Sequence, residues 1–559
     1  MSKQLSYVSG TSERPLIGMT IGDLFDQTVA SFPNNDALIS RHQNLRYTYK
    51  ELQEEVNRCA RGLMQMGVTK GERVGIWSPN NAQWCITQFA TAKIGAILVN
   101  INPSYRTHEL EYALKQSGTN TLILEGEFKQ SQYAKMICEL VPELNSCTPE
   151  QLTSKKLPEL KRVICLDEKL ATQGMYTWNH LITEYDQVTE EQLAELQSSL
   201  QFDDPINIQY TSGTTGAPKG ATLSHHNILN NGYFVAEGMN ITDQDRIVIP
   251  VPLYHCFGMV MGNLGCVTHG ATMIYPSDGF DPEITLQAVE EEKATALYGV
   301  PTMFIAELEH PNFANYDLSH LRTGIMAGSN CPIEVMKKVI DQMNMKDVTI
   351  CYGMTETSPV SFQTRMDAPL EKRVSTVGTI HPHLEVKLVD PESGQIVERG
   401  EKGELCTRGY SVMLGYWNNE QATQESIVNG WMHTGDLAEM DEEGYVAITG
   451  RIKDLIIRGG ENIYPRELEE FFYTHPAISD VQVIGIPDQK YGEEVMAWVK
   501  VHEGKSLDEE ELKAFCKGKI AHYKVPRYFK FTQEFPMTVT GKIQKFKMRD
   551  LSMEELGIR

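Results

Sequence analysis

The first 350 or so residues of the chain alternate between helix-like and strand-like segments. In the segment 281–290, Asp281 is suited to cap a helix and Pro282 to occupy its first turn. The next segment, 294–301, is apolar and contains Gly and Pro, which predicts a buried strand. Parallel strands need crossover connections, so alternation of this kind predicts parallel sheets covered by helices. The sequence therefore favours an α/β fold for this part of the chain.

The pattern changes after about residue 375. Short strand-like runs at 384–390, 403–409 and 444–450 are separated by turn-forming clusters such as 391–394 and 441–444. Such clusters between short strands are typical of hairpin connections. This stretch is expected to form a small antiparallel, barrel-like unit.

A third pattern begins near Arg451. An amphipathic helix at 467–475 is followed by strand-like runs at 481–486 and 495–501 and by a helix at 507–519, enough for a small α+β domain. The join is rich in glycine and charge, as an exposed hinge would be. The predicted domains are an N-terminal domain over 1–450, with its barrel-like part at about 375–450, and a C-terminal domain over 451–559.

Charge and composition exclude several classes of protein. The 559 residues include 51 Lys and Arg against 74 Asp and Glu, a formal net charge of −23, which disfavours a dedicated nucleic-acid binder. Hydrophobic residues at 41% and charged residues at 22% are ordinary for globular proteins, so disordered and fibrous classes are excluded. No apolar run approaches the length of a membrane-spanning helix. The acidic balance also disfavours anionic lipid surfaces, while peripheral membrane contact stays open.

Cysteine usage and the N-terminus bear on the compartment. The eleven cysteines show no C-x-x-C spacing and no His-rich partner, which predicts reduced thiols rather than disulfides or a zinc site. Residues 1–21 lack both the apolar core of a signal peptide and the Arg-rich character of a transit peptide. We therefore expect a cytoplasmic protein, present as a monomer or homodimer.

The strongest local signal is YTSGTTGAPKG at residues 210–220. It follows a strand-like run at 206–210 and precedes helix-like sequence that begins near Ser224. Backbone N–H groups and hydroxyls in such a loop can surround phosphate oxygens, and the lysine can neutralise their charge. The spacing from Gly213 to Lys219 does not fit a Walker A loop. A flexible surface turn is the alternative, which the position of this ordered string after a strand disfavours.

This string resembles the signature loop of the adenylate-forming enzymes, a family of acyl-CoA synthetases, firefly-type luciferases and non-ribosomal peptide adenylation domains. Further motifs of the family follow in family order: YGMTET at 352–357, WMHTGD at 431–436, GRIKDLI at 450–456 with GGENIYP at 459–465, and TGKI at 540–543. The resemblance implies an α/β fold with a large N-terminal domain of two α/β subdomains plus a small β-barrel. It also implies a mobile α+β C-terminal domain. This division agrees with the patterns above.

The resemblance implies an ATP site. Asp436 would accept the ribose hydroxyls, Arg451 would hold the ribose or the phosphates, and Tyr352 would contact the nucleotide. The residues implied around the phosphates are Thr211, Ser212, Gly213, Thr214, Thr215, Gly216, Ala217, Pro218 and Lys219. An ordinary turn aspartate and a surface arginine are the alternatives for Asp436 and Arg451.

Catalytic roles follow from the same resemblance. Lys542 would stabilise the negative charge that builds up when a carboxylate attacks the α-phosphate. Glu356 would hold Mg²⁺ against the phosphates, and the Thr355 hydroxyl would reach the α-phosphate. Lys453 would lie at the hinge about which the C-terminal domain rotates. The alternatives are a solvated lysine in the basic run 542–549 and a helix N-terminal glutamate.

The acid to be activated is suggested by the segment 252–259, PLYHCFGM. It matches the family segment beside the carboxyl-substrate pocket, so His255 and Phe257 are candidates to gate an acyl tunnel and Gly328 belongs to the opposite wall. An aromatic core residue is the alternative for Phe257. The resemblance is closest to the medium-chain fatty acyl-CoA synthetases. It implies an ATP-dependent ligase that activates a medium- to long-chain fatty acid as acyl-AMP and transfers it to CoA, with release of AMP and pyrophosphate.

Two other functions compete with this one. An acyl-AMP ligase could pass the acyl group to a carrier protein, but nothing after Lys542 resembles a fused carrier domain. The loop 459–462, which in CoA-using relatives approaches the pantetheine channel, favours CoA. A non-catalytic nucleotide-binding protein is disfavoured because Lys542, Glu356 and Asp436 are all present.

Overall fold

The computed structural model describes residues 4–211, 218–329, 331–459, 461–538 and 541–558. Two mixed sheets flanked by helices form the centre of the molecule, followed along the chain by an antiparallel sheet and by a smaller C-terminal sheet. The α/β fold class predicted from the sequence is confirmed.

The first mixed sheet carries the hairpin that contains the signature loop. Its strands, in spatial order, are Gly415–Tyr416, Lys219–Ser224, Pro205–Thr211, Ile97–Asn100, Arg73–Trp77, Thr121–Leu124, Arg162–Cys165 and Tyr176–Thr177. The pairs from Pro205–Thr211 to Tyr176–Thr177 are parallel, and the two pairs at the other edge are antiparallel. The strand Lys219–Ser224 was not predicted from sequence. The signature loop therefore joins two strands of a hairpin, and the helix His225–Glu237 begins only after the second of them.

The second mixed sheet follows the same plan. Its strands, in order, are Thr379–Ile380, Val360–Gln363, Asp347–Gly353, Thr323–Ala327, Ala296–Gly299, Arg246–Val248, Thr272–Tyr275, Asp36–Ser40 and Leu45–Thr48. Ala296–Gly299 is buried and pairs in parallel with both neighbours, as the apolar run at 294–301 predicts. Asp281 accepts the backbone N–H of Ile284 at 2.9 Å and so caps the predicted helix Pro282–Glu291.

Helices cover both mixed sheets. The α-helices of the N-terminal part are Ile21–Ser31, Tyr49–Gln65, Ala82–Ile94, Thr107–Ser117, Tyr133–Leu140, Trp178–Thr183, Glu190–Ser198, His225–Glu237, Gly265–His269, Pro282–Glu291, Pro301–Leu308, Ile333–Gln342, Leu370–Ser375 and Glu420–Ser426. A π-helix spans Phe257–Leu264. Within the described residues, no helix is both long and apolar enough to cross a membrane.

The barrel-like unit is an antiparallel sheet. Its strands are Tyr7–Ser9, Leu384–Val389, Lys402–Gly409, Trp431–Met440 and Ile427–Val428 in order, with Val446–Arg451 paired to Trp431–Met440. The strand Tyr7–Ser9 comes from the start of the chain and pairs antiparallel with Leu384–Val389. Sequence patterns placed this unit at about 375–450 and did not reveal the N-terminal strand.

The C-terminal unit has its own sheet and its own apolar cores. Its strands are Glu461–Ile463, Ile456–Arg458, Gly492–Val501 and Ile478–Asp488 in order, with Tyr528–Phe531 paired in parallel to Gly492–Val501. Its helices are Pro465–Tyr473, Glu509–Cys516 and Lys545–Glu555. These elements include the α+β pattern predicted from Arg451 onward.

The C-terminal unit rests against the larger part through a few polar contacts. Arg466 donates to the backbone oxygen of Ile448 at 2.8 Å, and the Ile333 N–H donates to the Glu470 carboxylate at 3.3 Å. The Lys402 ammonium nitrogen lies 3.5 Å from the centre of the Tyr464 ring. A cavity lies between the two parts, and several of the candidate residues line it.

Candidate functional site

A cavity of about 460 Å³ opens between the C-terminal unit and the rest of the chain. Gly328, Tyr352 and Asp436 line it from the larger part, and Arg451 and Lys542 line it from the beginning and end of the C-terminal unit. This volume is within the usual range for small-molecule sites. The structure therefore brings together five residues that lie up to 214 positions apart in the sequence.

A β-bulge presents Asp436 to this cavity. Cys406 pairs with His433, whereas Glu404, two residues away, pairs with Leu437, so the strand Trp431–Met440 holds extra residues between these pairs. Gly435 in the bulge has φ of 71°, a left-handed conformation that glycine adopts without strain. Bulges of this kind re-aim a side chain near a site.

Asp436 is anchored at both carboxylate oxygens. The Tyr352 hydroxyl donates to Oδ2 at 2.7 Å, and Arg451 Nε donates to Oδ1 at 2.9 Å. Arg451 pairs directly with Asp436 across two antiparallel strands. The Asp436 carboxylate raises the pKa of Arg451. The pKa of the Tyr352 hydroxyl is raised mainly by burial and, to a smaller extent, by the negative charge of Asp436. The carboxylate is thus held in a fixed orientation, in which it can accept a pair of hydroxyls.

Lys542 enters the cavity from a tight turn. The Lys542 N–H donates to Thr538 Oγ1 at 3.1 Å, and the Thr538 N–H donates to the Lys542 carbonyl oxygen at 2.8 Å. Burial, and next the charge of Arg451, lower the pKa of Lys542 to about 8 against the opposing effects of Asp436 and Glu356. Removal from water thus disfavours the charged ammonium form of Lys542, and the two carboxylates partly offset this effect.

Glu356 forms a second anchored carboxylate. It is 6% exposed, and its Oε1 accepts the Tyr416 hydroxyl at 2.7 Å. The Tyr416 ring lies 4.9 Å from the Lys219 ammonium, and Tyr416 pairs with Ala221 of the hairpin strand. Tyr416 therefore joins the carboxylate to the base of the signature loop. Sequence analysis did not select Tyr416, and only its place in LGYW at 414–417, soon after the strand at 402–409, could have suggested it.

The described residues on either side of the signature loop close the hairpin. Thr211 and Lys219 face each other, and Thr211 Oγ1 donates to the Lys219 carbonyl oxygen at 3.4 Å. The Pro218 carbonyl oxygen accepts the Tyr112 hydroxyl at 3.0 Å. The predicted phosphate contacts at Ser212, Gly213, Thr214, Thr215, Gly216 and Ala217 lie outside the described residues, as do the motif residues Asn330, Gly460 and Thr540.

His255 and Phe257 lie side by side at the start of the π-helix. His255 Nδ1 accepts the Phe257 N–H at 3.2 Å. Burial, and next the nearby positive charge of Lys542, lower the pKa of His255 to about 4. His255 is therefore neutral near pH 7, with its proton on Nε2. Phe257 is 4% exposed and stacks on Tyr298.

The remaining candidates differ in position. Gly328 lines the cavity with φ of 91°, and a side chain there would meet Val300 at 3.0 Å. Thr355 is half-buried in the short helical turn that also bears Glu356. Lys453 lines the cavity in an exposed turn, Ile452–Asp454, directly after Arg451.

A second cavity of about 360 Å³ meets the first at the turn that carries Lys542. Thr302 and Thr538 line both cavities. Apolar side chains supply much of its wall, and Met537, Thr538 and Gly541, which flank Lys542 in the sequence, also line it. A movement of this turn would join the two cavities.

Comparison with known proteins agrees with this geometry. Residues 25–417 match the family model of AMP-binding enzymes, and residues 467–542 match that of the AMP-binding enzyme C-terminal domain. The chain is 54% identical to YngI of Bacillus subtilis, a protein assigned to the acyl-CoA synthetases, over 97% of this chain and 99% of that protein. It is 47% identical to the mitochondrial medium-chain acyl-CoA ligase ACSF2 of Danio rerio, over 99% of this chain and 91% of that protein.

Solved structures show the same fold. The anthranilate CoA ligase AuaEII in complex with anthranoyl-AMP superposes with a TM-score of 0.85 at 26% identity, over 98% of this chain and 99% of that chain. ATP-bound MatB from Rhodopseudomonas palustris superposes with a TM-score of 0.79 at 26% identity, over 97% of this chain and 100% of that chain.

Proposed function

Because this chain belongs to the AMP-binding enzyme family and is an acyl-CoA synthetase, we propose that it activates medium-chain fatty acids with ATP and transfers them to CoA. The observation that carries the proposal is the position of Lys542, which lines one cavity together with Arg451 and Asp436 and whose pKa is also raised by the charge of Glu356. The ligases named for medium-chain acids among its relatives support the choice of acid.

In the first step, a carboxylate oxygen of the acid attacks the α-phosphorus of ATP, and the bond from that phosphorus to the pyrophosphate oxygen breaks. Asp436 would hold the ribose, since both of its oxygens are already oriented by Tyr352 and Arg451. The Lys542 ammonium would face the charge that builds up on the phosphate, in a cavity where little water weakens the attraction. The products are acyl-AMP and pyrophosphate.

Glu356 is the residue that would hold Mg²⁺. Carboxylate oxygens are the ligands that Mg²⁺ prefers, and it keeps waters and substrate phosphates as its other ligands. Glu356 Oε1 accepts the Tyr416 hydroxyl, and Oε2 has no hydrogen-bond donor among the described residues. The donor set therefore fits, and bound Mg²⁺ would neutralise phosphate charge there. Tyr416 would keep the carboxylate oriented in its absence.

His255 suits the carboxylate substrate. Its ring is neutral near pH 7 and offers the Nε2 proton, because Nδ1 accepts the Phe257 N–H. A neutral donor can hydrogen-bond to a carboxylate oxygen without reducing the oxygen's nucleophilicity as strongly as a full positive charge. We therefore assign His255 to positioning the acid, next to the apolar wall that begins at Phe257.

The second step requires the lysine turn to leave. A CoA thiol must reach the acyl carbon. Met537, Thr538 and Gly541 line the second cavity, so the turn that carries Lys542 stands in the way of a thiol that enters there. Rotation of the C-terminal domain about the join near Lys453 would withdraw this turn, and the second cavity would then admit the pantetheine arm. The thiolate attacks the acyl carbon, the acyl–phosphate bond breaks, and AMP leaves.

The test follows thiol consumption and AMP formation together, with ATP, Mg²⁺, CoA and straight-chain acids from acetate to palmitate. A medium-length acid is expected to give one AMP for each thiol lost. Acyl-AMP that accumulates without thiol loss would overturn the CoA step and point to a carrier protein as acceptor. Absence of AMP formation with every acid would overturn the choice of fatty acids.

The alkaline limit of the first step should report Lys542. Its pKa is lowered to about 8, and the ammonium form is the active one, so kcat/KM for acid-dependent pyrophosphate exchange should fall as pH rises through about 8. Bound phosphates favour the ammonium, so the fall in kcat should come at higher pH. A profile of kcat/KM that stays flat to pH 10 would contradict the assignment, and Lys542→Arg should abolish the fall near pH 8.

Tyr416→Phe should change the magnesium requirement. It removes the hydroxyl that orients Glu356, and one hydrogen bond to a charged group contributes about 1.5–3 kcal/mol. If part of this energy contributes to Mg²⁺ binding, its loss should raise the Mg²⁺ concentration for half-maximal activity about 5-fold. The kcat at saturating Mg²⁺ should change by less than about 2-fold. Tyr410→Phe is the matched control, because Tyr410 is a half-buried tyrosine whose hydroxyl accepts from Asn231 instead. Equal effects of the two variants would contradict the role of Tyr416.

The compartment is proposed on chemical grounds. The eleven cysteines are free thiols in the structure, which suits a reducing compartment such as the cytoplasm. Several relatives are named as mitochondrial, and the mitochondrial matrix is also reducing. The cytoplasmic location therefore stays a prediction.

A further inference from the structure

Three potential metal ligands converge on the antiparallel sheet, outside the nucleotide cavity. Glu404 and Cys406 lie two residues apart on the strand Lys402–Gly409, and His433 faces Cys406 from the strand Trp431–Met440. Residues two apart on a strand, and the cross-strand partner of one of them, project from the same face of a sheet. The carboxylate, thiol and imidazole ligand atoms lie within 4.8 Å of one another.

The distances within this cluster approach those of a tetrahedral metal site. His433 Nδ1 lies 2.9 Å from Glu404 Oε2 and 3.4 Å from Cys406 Sγ. Zinc–ligand bonds of about 2.0–2.3 Å at tetrahedral angles place nitrogen and oxygen about 3.4 Å apart, and nitrogen and sulfur about 3.6 Å apart. The ion would therefore fit if the distances from His433 Nδ1 to Glu404 Oε2 and to Cys406 Sγ increased by a few tenths of an ångström. One S, one N and one O ligand is a set suited to Zn²⁺.

The surroundings are those of a supported site with one open side. Cys406 is fully buried against Trp431 and Val389, whereas the His433 side chain is 29% exposed. An ion can thus approach from the imidazole side, and water can fill the fourth position. Glu404 is oriented by its other oxygen, since Oε1 accepts the Gly435 N–H at 3.1 Å. Such supporting hydrogen bonds fix the geometry of metal ligands.

We propose that Glu404, Cys406 and His433 form a binding site for one Zn²⁺-type divalent cation, behind the bulge that presents Asp436. The proposal does not depend on the enzymatic activity, because it rests on the cluster and its sheet alone. The ion would connect the two strands that meet at the bulge, where Gly435 and Asp436 directly follow His433 and Thr434. Cys406 and His433 are 27 positions apart in the sequence, a spacing that matches no local metal-binding motif.

Cobalt is the probe for the ligand set. Full-length protein stripped with a chelator is titrated with Co²⁺. The expected result is one Co²⁺ per chain, with near-ultraviolet thiolate-to-cobalt absorption and strong visible bands of a four-coordinate ion. Zn²⁺ should abolish both signals by displacement. Absence of the thiolate absorption at saturating Co²⁺ would overturn the proposal.

Variants locate the ion. Cys406→Ser should remove the thiolate absorption, and His433→Gln should weaken Zn²⁺ binding at least about 10-fold. Cys138→Ser is the matched control, because Cys138 is a free, half-buried thiol whose Sγ contacts Thr172 instead. Zn²⁺ should raise the melting temperature of the unmodified chain and of Cys138→Ser, but not that of His433→Gln. If the absorption persists in Cys406→Ser, or the melting temperature of His433→Gln rises equally, the assignment fails. Circular dichroism of the metal-free variants shows that they are folded.

Discussion

Lys542→Ala is expected to lower acid-dependent pyrophosphate exchange by about 10²–10³-fold, the loss typical when a group aimed at transition-state charge is removed. The neighbouring cation that acts on the pKa of Lys542, Arg451, donates to Asp436 at 2.9 Å and is therefore not free to take the place of the lysine. If preformed acyl-AMP is supplied, thioester formation should change by less than about 5-fold, because the proposed second step withdraws the lysine turn.

The control for this prediction is Lys547→Ala. Lys547 belongs to the same basic run but is exposed on the helix Lys545–Glu555. Its removal should leave both half-reactions unchanged. An equal loss in the two half-reactions of Lys542→Ala would indicate damage to the fold rather than to the first step.

Asp436→Ala is expected to lower kcat/KM for ATP by at least about 100-fold, since the two hydrogen bonds that the ribose hydroxyls would donate to the carboxylate would each contribute about 1.5–3 kcal/mol. The effect on the KM of the acid should stay within about 2-fold. Without this carboxylate, Arg451 acts on Lys542 unopposed by Asp436. The alkaline fall in kcat/KM should therefore move below pH 8.

Glu439→Ala is the matched control, because Glu439 lies on the same strand, beyond the bulge and outside the residues that line the cavity. It should leave the ATP dependence and the pH profile unchanged. An Asp436→Ala enzyme with an unaltered KM for ATP would contradict the ribose role, and an unmoved alkaline limit would contradict the electrostatic coupling to Lys542.

Local patterns predicted the elements that depend on local chemistry. The cap of Asp281, the buried run at 294–301 and the hairpins after residue 375 follow from short-range residue preferences, and the described elements match them. The strand Lys219–Ser224 was missed because its small residues show no clear alternation. It exists because Pro205–Thr211 and Gly415–Tyr416 supply hydrogen-bonding partners on either side.

The candidate site likewise contains residues that local motifs predicted and residues that depend on contacts between distant parts of the chain. Lys542, Asp436 and Glu356 were selected from contiguous motifs. The structure places Lys542 and Asp436 around one cavity, and Glu356 lies close enough for its charge to raise the pKa of Lys542. Tyr416 could not be selected, because its contact with Glu356 spans 60 positions and depends on how a strand edge meets a helical turn. The cluster of Glu404, Cys406 and His433 likewise arises from strand register, which a single sequence does not reveal.

The pairing of Tyr7–Ser9 with Leu384–Val389 determines the order in which the molecule can be completed during translation. The first strand leaves the ribosome early, but its partner follows only after every strand of the two mixed sheets except Gly415–Tyr416 has been synthesised. At about 5–20 residues per second, that delay is roughly 20–75 s. Throughout this interval the two α/β layers can fold, while the early strand has no edge to join. Closure of the antiparallel sheet is therefore a late event, and a nascent chain stalled before residue 384 would keep its N-terminal segment open to proteases and chaperones.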